Sequence, residues 1–176
     1  MSDHGSDPKH MTREGARIRL AALAQRQVTG FDLRPDADTR AALADELGIS
    51  GIRKLSFTGE LTPSGRQDWV LRAMLGATVV QPCVVTLVPV TTRIDEEVVR
   101  RYMADLPEPG PGETEVPEDD ADPLPQTLDL WEVMVESLSL ALPPWPRAPG
   151  AELPETVVTE EGVVPMDDAA ARPFAG

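Results

Sequence analysis

Few residues in this chain have the type and spacing that chemistry demands. The single cysteine, Cys83, stands in an apolar, β-branched run over residues 79–90 (VVQPCVVTLVPV). One cysteine excludes an internal disulfide and a cysteine-based metal cluster, and a lone thiol in such a run reads as a small buried side chain. The two histidines, His4 and His10, lie in a polar N-terminal stretch. Neither is placed where packing could orient it as a base beside a nucleophile. Asp95, Glu96 and Glu97 make a carboxylate run, but three consecutive side chains cannot converge on one point, and the run reads as a solvated turn between strands. Gly48, Gly51 and Gly59 match no phosphate-binding spacing. The expectation is a protein that is not an enzyme, with no catalytic residue, no metal, no cofactor and no small-molecule substrate.

Charge is the remaining source of specificity. Seven bases, Arg53, Lys54, Arg66, Arg72, Arg93, Arg100 and Arg101, fall in the central β-rich region. With a helix on one face of the sheet, Arg72 and whichever of Arg100 and Arg101 points outward would form a positive strip on the other, suited to phosphates or to an acidic protein. The competing reading is an ordinary solvated face whose bases are matched by nearby acids. No aromatic residues interleave with these bases to stack unpaired nucleotides. The formal charge of −14 is concentrated: residues 105–127 hold eight acids and residues 152–168 six, with no base in either. Removing those fourteen leaves sixteen acids against sixteen bases, so the rest of the chain is neutral. Acidic tails repel phosphate and attract basic proteins, which argues against indiscriminate nucleic-acid binding.

The elements that must position these residues centre on residues 127–147 (TLDLWEVMVESLSLALPPWPR). Trp131, Met134, Val135, Leu138 and Leu142 recur at steps of three and four, one stripe of an α-helix, while Asp129, Glu132, Glu136 and Ser139 fall mostly off it. Asp129 followed by Glu132 has the spacing of a capping box, and Pro143-Pro144 stops the helix. A helix this short is marginal alone, so its stripe is expected to cover the strands that precede it.

Those strands follow from alternation. Ile18 and Leu20 alternate with Arg17 and Arg19, which suits a short edge strand, although AALAQ after them fits the start of a helix equally. Val28, Phe31 and Leu33 suggest a second strand. Asp36 then caps a short helix over 37–47, with Ala37, Ala41, Ala44 and Leu47 on one face beside Leu43, and Gly48 and Ile49 placed for a left-handed C-terminus. From Ile52 the period becomes two, and Thr62-Pro63-Ser64-Gly65 turns into a run in which Trp69, Leu71, Ala73, Leu75, Ala77 and Val79 share a face. Residues 79–90 read as one central strand with Pro82 at a bulge and Pro89 at its end, and residues 98–103 as one more. The predicted class is α+β: an antiparallel meander, partly closed, with one or two helices packed on it.

The predicted organisation is a disordered tail over 1–15, a β-rich core over 16–104, a disordered acidic Pro-rich loop over 105–127, the docking helix over 128–147, and a mostly extended or disordered acidic tail over 148–176. No apolar run reaches the length of a membrane span and no secretory signal is recognised, so a cytoplasmic location without membrane contact is expected.

The segments FDLRPDADTRAALADELGI, RKLSFTGEL, DWVLRAMLGATVVQPCVVTLVPVTTRIDEEVVRRYMA and LDLWEVMVESLSLALPPWPR, followed by a closing RPFAG, resemble in order the YceD family of large ribosomal RNA subunit accumulation proteins, in particular its alphaproteobacterial-type members. The likeness spans roughly residues 28–176, with Arg172 where the family closes on Asn-Pro-Phe-Ala. It implies a non-enzymatic factor of large ribosomal subunit biogenesis that supports synthesis, processing or stability of 23S rRNA by binding ribosomal RNA or a pre-50S particle. The alternative is an adaptor that shields a basic ribosomal or rRNA-processing protein and affects the RNA indirectly. Many relatives carry Cys-x-x-Cys in the central block; here Cys83 matches the first position and Thr86 the second, and the later cysteines are missing, so no metal site carries over.

Overall fold

In the computed structural model, residues 9–23, 27–105 and 121–152 are described. Eight strands and two α-helices follow in the order β1 (Lys9–Met11), β2 (Arg17–Arg19), β3 (Thr29–Leu33), α1 (Ala37–Glu46), β4 (Gly51–Ser64), β5 (Asp68–Pro82), β6 (Pro89–Met103), β7 (Ala121–Pro123), β8 (Thr127–Asp129) and α2 (Leu130–Ala141), with single 3-10 turns on either side of β2. The main sheet runs β1-β3-β4-β5-β6-β7, and β2 pairs with β8 apart from it. The α+β class is the observed one. Strands β3 to β6 are the antiparallel meander, and β1 and β7 add parallel to its two edges.

The long strands owe their face assignment to strict alternation. Along β5, Trp69, Leu71, Ala73, Leu75, Ala77 and Val79 are buried, and the register sets Leu55, Phe57 and Leu61 of β4 and Ile94 and Tyr102 of β6 on the same side. One break in the period is corrected by a bulge: the register shifts between Ile52 and Lys54, so Arg53 is the extra residue and both Ile52 and Leu55 reach the core across a spacing of three.

Both helices cover that one side and join it in a single core cluster. In α1 the buried residues are Leu43 and Ala44 with Leu47 half-buried, whereas Ala37 and Ala41 are exposed, so the helix is rotated from the predicted alanine face. The reason is Arg40, whose guanidinium donates to the carbonyls of Ile52 at 3.2 Å and Pro35 at 2.7 Å and anchors α1 against β4. Its ends are as predicted: Asp36 accepts from the Thr39 N–H at 2.8 Å, Gly48 has φ +66°, and the Ile49 N–H returns to the Ala44 carbonyl at 3.0 Å.

In α2, Leu130, Trp131, Val133, Met134 and Leu138 are buried; Val135 and Leu142 are only half-buried. The side chain of Asp129 accepts from the N–H groups of Trp131 and Glu132.

Three expectations need correction. Residues 79–90 are not one strand: β5 ends at Pro82 and β6 begins at Pro89, and between them the Cys83 N–H bonds to the Val88 carbonyl at 2.8 Å and the Leu87 N–H to the Cys83 carbonyl at 2.9 Å, closing a tight turn. The two prolines, lacking a ladder donor, mark the strand ends and not a bulge. The second half of the expected meander, residues 98–103, is therefore the end of one 15-residue strand, and Asp95–Glu97 lie within that strand. Finally, the acidic loop over 105–127 does not remain irregular to its end, since Ala121–Pro123 pair with Arg101–Met103 and Thr127 opens β8. Its residues 106–120 lie outside the described residues, as do 1–8 of the N-terminal tail and 153–176 of the C-terminal one. No described helix is long and apolar enough to cross a membrane.

Candidate interaction surfaces

Among the described residues the sheet has one open face, and its register fixes what stands there. Residues directly opposite in antiparallel strands share a face. The rows across β4, β5 and β6 on the open side are Lys54–Thr78–Arg93, Ser56–Gly76–Asp95, Thr58–Met74–Glu97, Glu60–Arg72–Val99 and Thr62–Val70–Arg101, with Asp32 of β3 beside Thr58.

Four of the seven predicted bases, Lys54, Arg72, Arg93 and Arg101, therefore share this face with the acids Asp32, Glu60, Asp68, Asp95 and Glu97, and Asp32 is held by Arg34 at 2.9 Å. Of the strip that the sequence suggests, Arg72 and Arg101 stand on the open face, with acids among them, and Arg100 is the one that points to the other side. Arg72 and Arg101 are diagonal neighbours, about 7–8 Å apart by sheet geometry, but Arg72 has Glu60 directly opposite it on β4. Lys54 and Arg93 lie six residues along the sheet from Arg72, roughly 20 Å away. Arg93 folds onto Asp95, with its Nε 2.8 Å from Oδ2, which raises the guanidinium pKa and holds the carboxyl below its ordinary range. The remaining three stand elsewhere: Arg53 in the β4 bulge, Arg66 in the β4–β5 turn, and Arg100 on the opposite, helix-covered face. Arg100 reaches Glu136 of α2 at 3.0 Å and Asp122 of β7 at 3.5 Å, so it ties the helix and the edge strand to β6.

Cys83 is fully buried in the β5–β6 turn, beneath the segment that leaves α2. Three hydrogen bonds fasten that segment: Gln81 Nε2 to the Pro143 carbonyl at 3.1 Å, the Val84 N–H to the Pro146 carbonyl at 2.9 Å, and the Ala148 N–H to Cys83 Sγ at 3.3 Å. The hydroxyl of Thr86 is the largest influence on the thiol, followed by the Ala148 N–H. These donors outweigh burial and lower its pKa to about 6. Thr86 thus supplies a hydrogen bond to the sulfur. Among the described residues no group of three His, Cys, Asp or Glu could hold a metal ion.

A surface that sequence reasoning missed lies along α2. Arg13, after β1, stands over the Trp131 ring at 4.8 Å from its centroid, and Arg17 of β2 binds Asp129 at 2.9 Å. With the end of α1 and the outer side of α2 they bound a groove of about 900 Å³. The available signal was a second helical stripe at Glu132, Val135, Glu136, Ser139 and Leu140.

Comparison with known proteins places this architecture. A search of curated proteins returns no match, and a search of solved structures returns none either. The family model described as "Large ribosomal RNA subunit accumulation protein YceD" matches residues 71–173, more than half of the chain, from β5 through α2 and beyond. The chain belongs to the YceD family.

Proposed function

We propose that this protein supports the accumulation of large-subunit ribosomal RNA as a non-enzymatic binding factor, and that its direct client is a basic protein of the subunit or of its RNA processing. Family membership over residues 71–173 is the observation that carries the first part. The second part is supported by charge. The open face of the sheet interleaves its bases with acids, as in Arg93 with Asp95 and Arg72 opposite Glu60, and the segments over 106–120 and 153–168 add acids without bases, a field that favours cationic partners and opposes phosphate.

A second reading, direct contact with ribosomal RNA, is favoured by the adjacency of Arg72 and Arg101 across β5 and β6. Salt dependence separates the two. Binding through several phosphates loses affinity steeply as salt rises, whereas an adaptor shows no affinity for large-subunit RNA even at low salt and co-purifies with a basic protein. Incubation with precursor RNA, after trace nuclease is removed, should leave the RNA intact; turnover by the purified protein would overturn the non-enzymatic reading. Cells lacking the protein should show reduced large-subunit RNA, and unchanged levels would reject the biogenesis role.

A further inference from the structure

Helix α2 has two useful sides, and the core takes only one. On the other, Val135 is half-buried and Leu140 is 79% exposed, the most exposed large apolar side chain among the described residues. Leu47, at the end of α1, faces the same groove and extends this apolar floor. The stretch of α2 from Glu132 to Leu140 is about 12 Å long at the rise of an α-helix, matched by roughly four extended residues or two helical turns of a partner.

The rim is acidic. Asp129 and Glu136 are already paired with Arg17 and Arg100. Glu14, Glu46 and Glu132 also line the groove, and none forms a salt bridge among the described residues. One wall already holds a guanidinium, that of Arg13 against the face of Trp131. An apolar floor edged by three carboxylates that form no salt bridge, of which Glu132 lies within electrostatic reach of Arg17, is complementary to a segment with an apolar anchor flanked by Lys or Arg. Polyphosphate is repelled by the same carboxylates. The chain's own acidic segments are poor occupants on the same ground: residues 106–120 contain six acids and no base, and residues 153–176 five acids and one base.

We infer that the groove between α1, α2 and the β1–β2 connection is the docking site for a basic, apolar-anchored protein segment. This rests on the adaptor reading above and assigns that reading its surface and the chemistry of its partner.

The test uses the full chain and a synthetic amphipathic peptide of lysine and leucine. Three comparison probes are a polylysine of equal charge, the same peptide with glutamate for lysine, and a single-stranded RNA. The amphipathic peptide should bind, and binding should weaken as salt rises. The pair Glu46→Lys and Glu132→Lys together should weaken it about tenfold or more, since like charges are then brought together. Leu140→Ser should weaken it severalfold, and Arg13→Ala should strengthen it by removing a competing cation. All these side chains except Arg13 are solvent-facing parts of helices or helix ends, and an unchanged melting temperature will show that the fold survives.

Equal binding of polylysine, unchanged affinity in the Glu46/Glu132 variant, or RNA binding that the same variant abolishes would each overturn the inference. If groove variants bind normally while cells lacking the protein still lose large-subunit RNA, the groove fails and the biogenesis role stands. If the peptide result holds while that RNA is unaffected, the groove stands and the role fails.

Discussion

Asp129 and Arg17 are joined at 2.9 Å between Oδ2 and Nε, while the other carboxylate oxygen of Asp129 accepts from the Trp131 N–H at 3.0 Å. One side chain therefore starts α2 and pins β2 beside it, and the β2–β8 pairing of Arg17 with Asp129 places both backbones at the same point. Asp129→Ala should destabilise the fold by about 1–2 kcal/mol, mostly from the lost cap. Asp129→Asn keeps a capping oxygen and should cost only a few tenths of a kcal/mol, because Arg17 is largely exposed and such pairs are weak. Urea unfolding of the two variants checks the ranking, and equal losses would show that the ion pair dominates.

Arg100, on the helix-covered face, and Arg72, on the open one, differ in consequence. Arg100→Ala should cost about 1–2 kcal/mol, through the lost packing of its stem and the separation of Glu136 and Asp122 from their shared partner. Arg72→Ala, on the open face, should fall within about 0.5 kcal/mol of the parent. Thermal unfolding distinguishes them, and a neutral Arg100→Ala would remove it as the tie between α2, β7 and β6.

Gly59 allows β4 to lie close on β5. A Cβ there would stand 2.2 Å from the Arg72 carbonyl oxygen and 2.6 Å from the Ala73 Cα, both backbone atoms that cannot turn aside. Gly59→Ala should cost about 3 kcal/mol or more, the upper end for overpacking. Gly51, with open space around it and no left-handed backbone, is the control: Gly51→Ala should be neutral or slightly stabilising. Similar denaturation midpoints for the two would contradict the close approach.

Cys83 makes stability depend on pH. The folded thiol titrates at about 6 against an ordinary 9.0, so the unfolded chain holds the proton more tightly. The thiolate's contribution is fully present above the unfolded value and is lost as pH falls through about 6. Cys83→Ser should flatten the rise in stability across that window. Thr86→Val removes the largest stabilising donor and should move the thiolate transition in ultraviolet absorbance upward. A parent transition near the ordinary value would reject the arrangement.

How much of this was legible in the sequence varies with the range of the cause. Alternation along β5, the Asp36 and Gly48 ends of α1 and the Asp129 start of α2 are local signals, and the structure follows them. The turn at Cys83–Val88 was hidden because its residues are as β-branched as the strands it joins, and only the long-range pairing of Pro82 with Pro89 reveals it. The face of α1 was misjudged because Arg40 bonds to carbonyls that become neighbours only after folding. The company that Arg72 and Arg101 keep on the open face was hidden for a related reason. Bases are visible in a sequence, but which acids sit across the strands from them is set by register. The groove depends on three segments far apart in the chain, and α2's second stripe was the sole local hint of it.

The two three-residue strands at the margins of the main sheet have an effect beyond their size. Lys9–Met11 on one side and Ala121–Pro123 on the other occupy part of the outer hydrogen-bonding rows of β3 and β6, and Pro123 has no donor to offer a newcomer. Where these ribbons lie the edge is blunted, since a newcomer meets a strand of three residues in place of the long one behind it. The outer row of β6 from Pro89 to Arg100 has no strand beside it among the described residues, so any further strand would find its longer ladder there.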